Sequence, residues 1–348
     1  MQLKKYLVLL LFLFSLHSLS GQIIDSSKLV LSNKVLFDFG QYELTETADS
    51  SITNIIAQIK PLKKYHINIT AHTDAIGSNQ NNVKLSQNRA NAVKEFLIAK
   101  AIPAENIHIQ VFGEAKPESD NDTDDGRQLN RRATIDVFQT IKLMPFKGQI
   151  KDNKTGEAIP ATLVIRTKDN RDSLQTDSSG NFETVLPLGE VAGIDVYAKD
   201  YFFETKMFKV TPNLKRDFSV ELKKVAIGEK VDIENLFFVG NEAILLKKSL
   251  PELPKLLKFM ELNDTIKIEI AGHINRPNYP KVDELSWDFK LSVRRAKMVY
   301  DYLLANNITP DRITYQGYGN FEMRYPKARN EKQQAQNRRV EIRVVARS

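Results

Sequence analysis

Asp74 and Arg89 are the pair of side chains in this chain whose types and spacing could hold a charged ligand. Residues 67–70 alternate, with β-branched Ile67 and Ile69 at every second place, which predicts a half-buried strand. His72, Thr73 and Asp74 follow, then Gly77 and an Asn-rich stretch that reads as a polar loop. From Leu85 the apolar spacing becomes helical through Ala92, Val93, Phe96 and Leu97. Asp74 is therefore expected at a strand end and Arg89 on the first turns of the next helix. An acid and a base project there together, and unpaired helix amides point the same way. The other reading of the pair is a purely structural Asp74–Arg89 ion pair. His72 is more often a packed strand histidine than a catalyst.

The elements that must position these residues can be read on either side. Residues 35–40 read as a strand, 46–59 as an amphipathic helix closed by Pro61, 107–112 as a strand and 134–138 as a last strand. A long polar loop, 114–128, leads into Asn130, Arg131 and Arg132, which either brace the ligand loop or open the last strand. The order β-α-β-α-β-β predicts a mixed sheet with helices on one face and right-handed parallel crossovers. The acidic run 120–126 has alternate carboxylates, but its glycine comes one residue late for a calcium loop and Arg131 stands at the closing glutamate position. A solvated loop is expected there, and no metal site.

The same order returns about 200 residues later, the signature of a duplicated domain. Phe237-Phe238-Val239-Gly240 echoes Phe37-Asp38-Phe39-Gly40, and Leu291-Ser292 with Arg295-Ala296 echoes Leu85-Ser86 with Arg89-Ala90. Asn337-Arg338-Arg339 echoes Asn130-Arg131-Arg132. Both copies resemble the OmpA-like peptidoglycan-binding domain: a Phe-rich first strand, then GHTD-like, N-x-x-L-S-x-x-R-A and N-R-R segments in sequence. In the first copy these are Ala71-His72-Thr73-Asp74, Asn82 through Arg89-Ala90, and Asn130-Arg131-Arg132, with Ala71 where the family favours glycine.

The resemblance implies that Asp74 and Arg89 grip diaminopimelate of the peptidoglycan stem peptide. Asp74 would take the ammonium and Arg89 the carboxylate in a bidentate fork. His72, Thr73, Gly77, Asn82, Asn130, Arg131 and Arg132 are supporting positions. The second copy departs at the aspartate, where Gly272-His273-Ile274-Asn275 places an amide, although Arg295 is retained. Its loop to Leu291 is longer and contains Pro277, Pro280 and Trp287, with Asp283, Glu284 or Asp288 as candidate replacement carboxylates. That copy is expected to bind the wall weakly, bind another ligand or serve as scaffold.

Between the copies, short alternating stretches at 162–167, 182–186, 194–198 and 218–222 are separated by turn clusters, which predicts an all-β sandwich. Lys154-Thr155-Gly156-Glu157-Ala158-Ile159-Pro160 and Thr176-Asp177-Ser178-Ser179-Gly180-Asn181-Phe182 resemble the turns of the carboxypeptidase regulatory-like, transthyretin-like fold, a spacer or accessory module. The expected organisation is a signal peptide at 1–20, OmpA-like domains at 28–141 and 228–348, and the sandwich at 145–224. The fold class is thus two α+β domains separated by an all-β sandwich.

Composition bounds the rest. Lys4 and Lys5 precede an apolar core and Ser18-Leu19-Ser20, a secretory signal cleaved after Ser20 or Gly21. The apolar run is short of the ~20 residues a spanning helix needs, and no later segment is long and apolar enough. The chain has no cysteine, which excludes disulfides, thiolate metal sites and an acylated N-terminal cysteine. Its net charge is +7, with basic and acidic residues interleaved, so a nucleic-acid arm is not expected. No cofactor is implied. The leading expectation is a non-catalytic periplasmic, cell-wall-associated protein of a Gram-negative cell. A scaffold tied to an outer-membrane or secretion-system partner is the second reading. A wall hydrolase using His72 and Asp74 is the least favoured, because no serine has an evident base and no metal-ligand set is present.

Overall fold

The computed structural model describes residues 23–59, 64–214, 217–232 and 236–347 of the 348. The expected signal segment lies outside the described residues, as does Pro61. Two compact units divide at residues 145 and 146.

The first unit holds β1 (Ile24–Leu36), α1 (Glu46–Gln58), β2 (Tyr65–His72), α2 (Asn79–Ala99), β3 (Ile107–Gly113), α3 (Asp124–Asn130) and the opening stretch of β4 (Arg132–Asp152). The sheet order is β1-β4-β2-β3. β2 and β3 are parallel, while β4 runs antiparallel to both β1 and β2, which makes the expected mixed sheet. Alternation in β2 turns Ile67, Ile69 and Ala71 into a core shared with Ile52, Ile55 and Ile56 of α1 and Ala90, Val93 and Leu97 of α2. Each helix starts where a side-chain oxygen can accept an orphan amide. Thr45 accepts from Ala48 N at 3.2 Å, Ser78 from Asn81 N at 3.3 Å and Thr123 from Gly126 N at 3.1 Å.

Four expectations are corrected. The Asn-rich stretch is the start of α2, six residues before Leu85, so Arg89 sits mid-helix. Ser78 nucleates that end, and the buried face is lined by polar Asn82, Ser86 and Arg89, which an apolar periodicity cannot detect. The polar loop before Asn130 contains α3. The first strand is the thirteen-residue β1 ending at Leu36, and residues 37–40 leave it in a turn completed by Gly40 at φ +70°. The last strand extends far beyond 138, because β4 continues to Asp152.

The second unit contains the middle strands and the second copy. The end of β4 pairs with β10 (Asp217–Leu222) in parallel and with β7 (Asn181–Pro187). A second sheet has the order β6-β5-β8-β9, with β5 (Thr162–Arg166), β6 (Arg171–Gln175), β8 (Val191–Tyr197) and β9 (Glu204–Lys209). The rings of Phe146 and Phe218 pack, tilted, against Phe208 of β9 at 5.3 and 5.4 Å between centres. β6 and β9 are not visible in the sequence; their burial is low and their residues largely polar.

The second copy repeats the first element for element. Its order is β11 (Lys230–Asp232), α4 (Glu252–Leu262), β12 (Ile266–Gly272), α5 (Trp287–Ala305), β13 (Ile313–Gly317), α6 (Glu331–Asn337) and β14 (Val340–Arg347). Its sheet order β11-β14-β12-β13 is that of the first copy with matching polarity. Within this unit Phe202 and Val225 enter the core of the second copy, Phe202 lying 5.6 Å from Phe259. A buried cation links the middle strands to that copy. Lys255 Nζ of α4 lies 3.3 Å from Asp195 of β8, 2.9 Å from Glu252 and 3.1 Å from Thr205 Oγ1 of β9.

Candidate functional site

Asp74 follows the end of β2, as expected, and is buried. Its partner is not Arg89. Arg131, one residue past α3, donates from Nη1 to Asp74 Oδ2 at 2.9 Å, and from Nε to Phe37 O at 3.2 Å. Sequence reasoning gives Arg131 only a supporting place. The N-R-R motif could have indicated more, since its middle residue immediately precedes β4, the strand paired with β2.

Arg89 is fully buried. It donates from Nε to Gln41 O at 2.9 Å, from Nη1 to His72 O at 2.8 Å and from Nη2 to Asp38 O at 3.2 Å. Its guanidinium also lies 5.0 Å from the Phe37 ring centre. Three of five N–H donors are therefore committed to backbone. They tie the 38–41 turn to the end of β2, so the alternative reading of a structural Asp74–Arg89 ion pair is not what the geometry forms. Burial pushes the Arg89 guanidinium down to about 10, while the charge of Asp74 acts in the opposite direction.

The supporting residues converge on the same corner. Asn82 Nδ2 donates to Asp74 O at 3.4 Å and to Glu114, and Gly77 at φ +109° lets the loop pass that amide. Asn130 is a complete brace: Oδ1 accepts from Glu118 N at 2.8 Å and Ser119 N at 3.0 Å, and Nδ2 donates to Ser119 O and Asn121 Oδ1. Arg132 pairs with Glu118 at 2.9 Å. Thr73 N donates to Gly113 O at 2.9 Å, while its buried hydroxyl has no hydrogen-bond partner among the described residues. His72 stacks on Phe112 at 5.2 Å, and burial, then the nearby Arg132 charge, push it down to about 4. It is a neutral packed ring. The loop amides expected to face a ligand are partly spent: Ala75 N donates to Asn121 Oδ1 at 3.1 Å and Ile76 N to Asp74 Oδ1 at 3.3 Å.

The second copy builds the same corner with different charge. Arg295 is again fully buried, donating to Glu242 O at 3.1 Å and His273 O at 3.5 Å, over Phe238 at 5.0 Å. Asn275 Oδ1 accepts from Asn337 Nδ2 at 2.9 Å. Here an open cavity of ≈ 780 Å³ is lined by Asn275, Arg276, Asp288, Arg295, Glu331 and Arg338 among others. Of the candidate replacement carboxylates, Asp288 reaches this cavity but is held by Arg276 at 2.7 Å, and Asp283 caps Leu285 N.

A mixed four-stranded sheet carries one corner made of a strand-end acid or amide, a buried helix arginine and an N-R-R brace. Built twice in the same order, it defines a duplicated α+β binding module. The chain belongs to the OmpA family, whose model matches residues 36–131 and 237–339. Curated relatives include "Outer membrane porin F" of Pseudomonas aeruginosa, 33% identical over 31% of this chain and 31% of that protein. "Probable lipoprotein YiaD" of Escherichia coli is 32% identical over 32% of this chain and 51% of its own length. The chain thus spans about a third to a half of these relatives. Among solved structures, the peptidoglycan-associated lipoprotein from Burkholderia pseudomallei is 27% identical, covering 30% of this chain and 89% of that one with a TM-score of 0.29. Among the described residues no helix is long and apolar enough to cross a membrane.

Proposed function

We propose that this chain is a non-catalytic, peptidoglycan-binding protein of the periplasm, associated with the cell wall near the outer membrane. The first copy is the wall-binding site. The observation that carries this reading is Asp74: a buried carboxylate held at a strand end by Arg131, with the Arg89 guanidinium packed behind it. Diaminopimelate presents an ammonium and a carboxylate on one carbon, and it needs one anion and one cation a few ångströms apart. Asp74 receives the ammonium and the partly exposed Arg131 beside it takes the carboxylate, while the buried Arg89 holds the corner in place and adds its positive charge from behind. The name of one relative, an outer-membrane porin, supports an envelope location for the chain. The middle strands act as a carboxypeptidase regulatory-like sandwich that supports the second copy.

The test is co-sedimentation of the protein with diaminopimelate-type sacculi beside a folded Asp74→Ala variant. One charge-assisted contact is worth about 1.5–3 kcal/mol, so the variant is expected to pellet at least tenfold less well. Lysine-type sacculi, which lack the second carboxylate, are also expected to bind more weakly. Unchanged pelleting of the variant would remove the first copy from wall recognition. A scaffold role is favoured by one observation, the buried Lys255 network that fastens the middle strands to the second copy.

A further inference from the structure

The cavity of the second copy is lined by more cations than carboxylates, and its strand end carries the amide of Asn275 where the first copy has Asp74. Arg276 is neutralised by Asp288 at 2.7 Å, and Arg338 is paired with Glu331. Arg295 and Lys332 have no carboxylate partner among the described residues. Arg295 is 1% exposed, and its Nη2 has no hydrogen-bond partner among the described residues. Burial pushes both arginines down to about 10; in the first copy the Asp74 charge opposes this, whereas here the neighbouring Arg338 and Arg294 charges add to it. An uncompensated buried cation with an idle donor costs free energy unless an anion completes it. Beside it stands Asn275, whose Oδ1 accepts from Asn337 and has a second lone pair.

We propose that this cavity receives the C-terminal carboxylate of a peptide, with the adjoining backbone N–H donated to Asn275 Oδ1 and the carboxylate taken by Arg295. The chemistry follows from exchanging the strand-end acid for an amide. An aspartate beside an arginine suits an amino-acid end carrying both ammonium and carboxylate. An asparagine in that place offers a neutral acceptor, which suits an acylated nitrogen and leaves the α-ammonium without a counter-charge. The negative charge of the ligand then balances Arg295. The inference concerns the second copy alone and does not rest on diaminopimelate binding by the first.

The chain contains one tryptophan, Trp287, which opens α5 next to cavity-lining Asp288 and is half exposed. Its fluorescence therefore reports on this copy in the full-length protein. Titration with N-acetyl-Ala-Ala is expected to give a saturable change, confirmed by equilibrium dialysis of labelled peptide. The C-terminal amide of the same peptide is expected to bind at least tenfold more weakly. Asn275→Asp, which keeps the side-chain shape, is expected to weaken the acyl peptide at least tenfold and to admit free diaminopimelate. The L,L and D,D forms of the peptide separate a protein C-terminus from a wall stem peptide as the source. Equal binding of acid and amide, equal competition by inorganic phosphate, or silence in both assays would overturn the proposal. Loss of sacculus pelleting in Asp74→Ala with this titration unchanged would leave both readings standing, and each can fail without the other.

Discussion

Replacing Arg89 by alanine separates a residue that builds the corner from one that only touches a ligand. The guanidinium ties three carbonyls, of which that of His72 belongs to a buried residue and those of Asp38 and Gln41 to exposed ones. In the variant, the carbonyls of the two exposed residues turn to water, and that of buried His72 loses its partner at about 1–3 kcal/mol. A further loss comes from the emptied volume over Phe37 and beneath α2. Against this stands the relief of no longer burying a charge. The balance is a loss of about 2–4 kcal/mol for the first unit, roughly 10 °C in Tm for a domain of this size. Calorimetry reads it, with the second unit, followed by Trp287 fluorescence, as internal control. Hydrogen exchange should quicken first at residues 37–41. A Tm within a degree of wild type, with wall binding lost, would refute the staple and make Arg89 purely a ligand contact.

Three further outcomes follow from the packing. His72 is held neutral with its pKa down at about 4, below the unfolded value near 6.5, so the unfolded state binds the extra proton first. Stability is therefore full above about 6.5 and falls as pH drops towards 4, by up to about 3 kcal/mol. His72→Phe, which keeps the stacking on Phe112, should flatten that acid limb in urea titrations across this range. Lys255→Met leaves Glu252 without its cation while Asp195 keeps Arg166 at 2.8 Å and Thr205 at 2.8 Å; the second unit should lose about 3 kcal/mol by Trp287 fluorescence in urea. A Cβ on Gly272 would collide with the Ser292 carbonyl oxygen, so Gly272→Ala should cost roughly 1–3 kcal/mol in the same urea titration, whereas the first copy accommodates Ala71 in full burial.

The duplicated order, the mixed sheet and the strand-end placement of Asp74 were legible because period-two alternation and repeated motifs survive in the residues. The start of α2 was hidden because its buried face is polar: Asn82, Ser86 and Arg89 point inward where an apolar stripe is the usual signal. β6 and β9 carry too little burial to leave a pattern. The Asp74–Arg131 pair spans 57 residues and is inaccessible to spacing arguments, although each partner stands out by its own motif. The charge imbalance around Arg295 needed the burial and pairing of each cavity residue, since the sequence offers Asp283, Glu284 and Asp288 as equal candidates. Only one of these reaches the cavity, and it is already paired.

In both copies the first and last strands are neighbours and antiparallel, with Ile24 opposite Leu143 and Lys230 opposite Arg343. In the first copy a pull along the chain from either side would load β1 and β4 at the same end. Hydrogen bonds in that arrangement break in succession instead of sharing the load, so the sheet peels at low force. Such a module would yield by lengthening under strain and would re-zip when the strain passes.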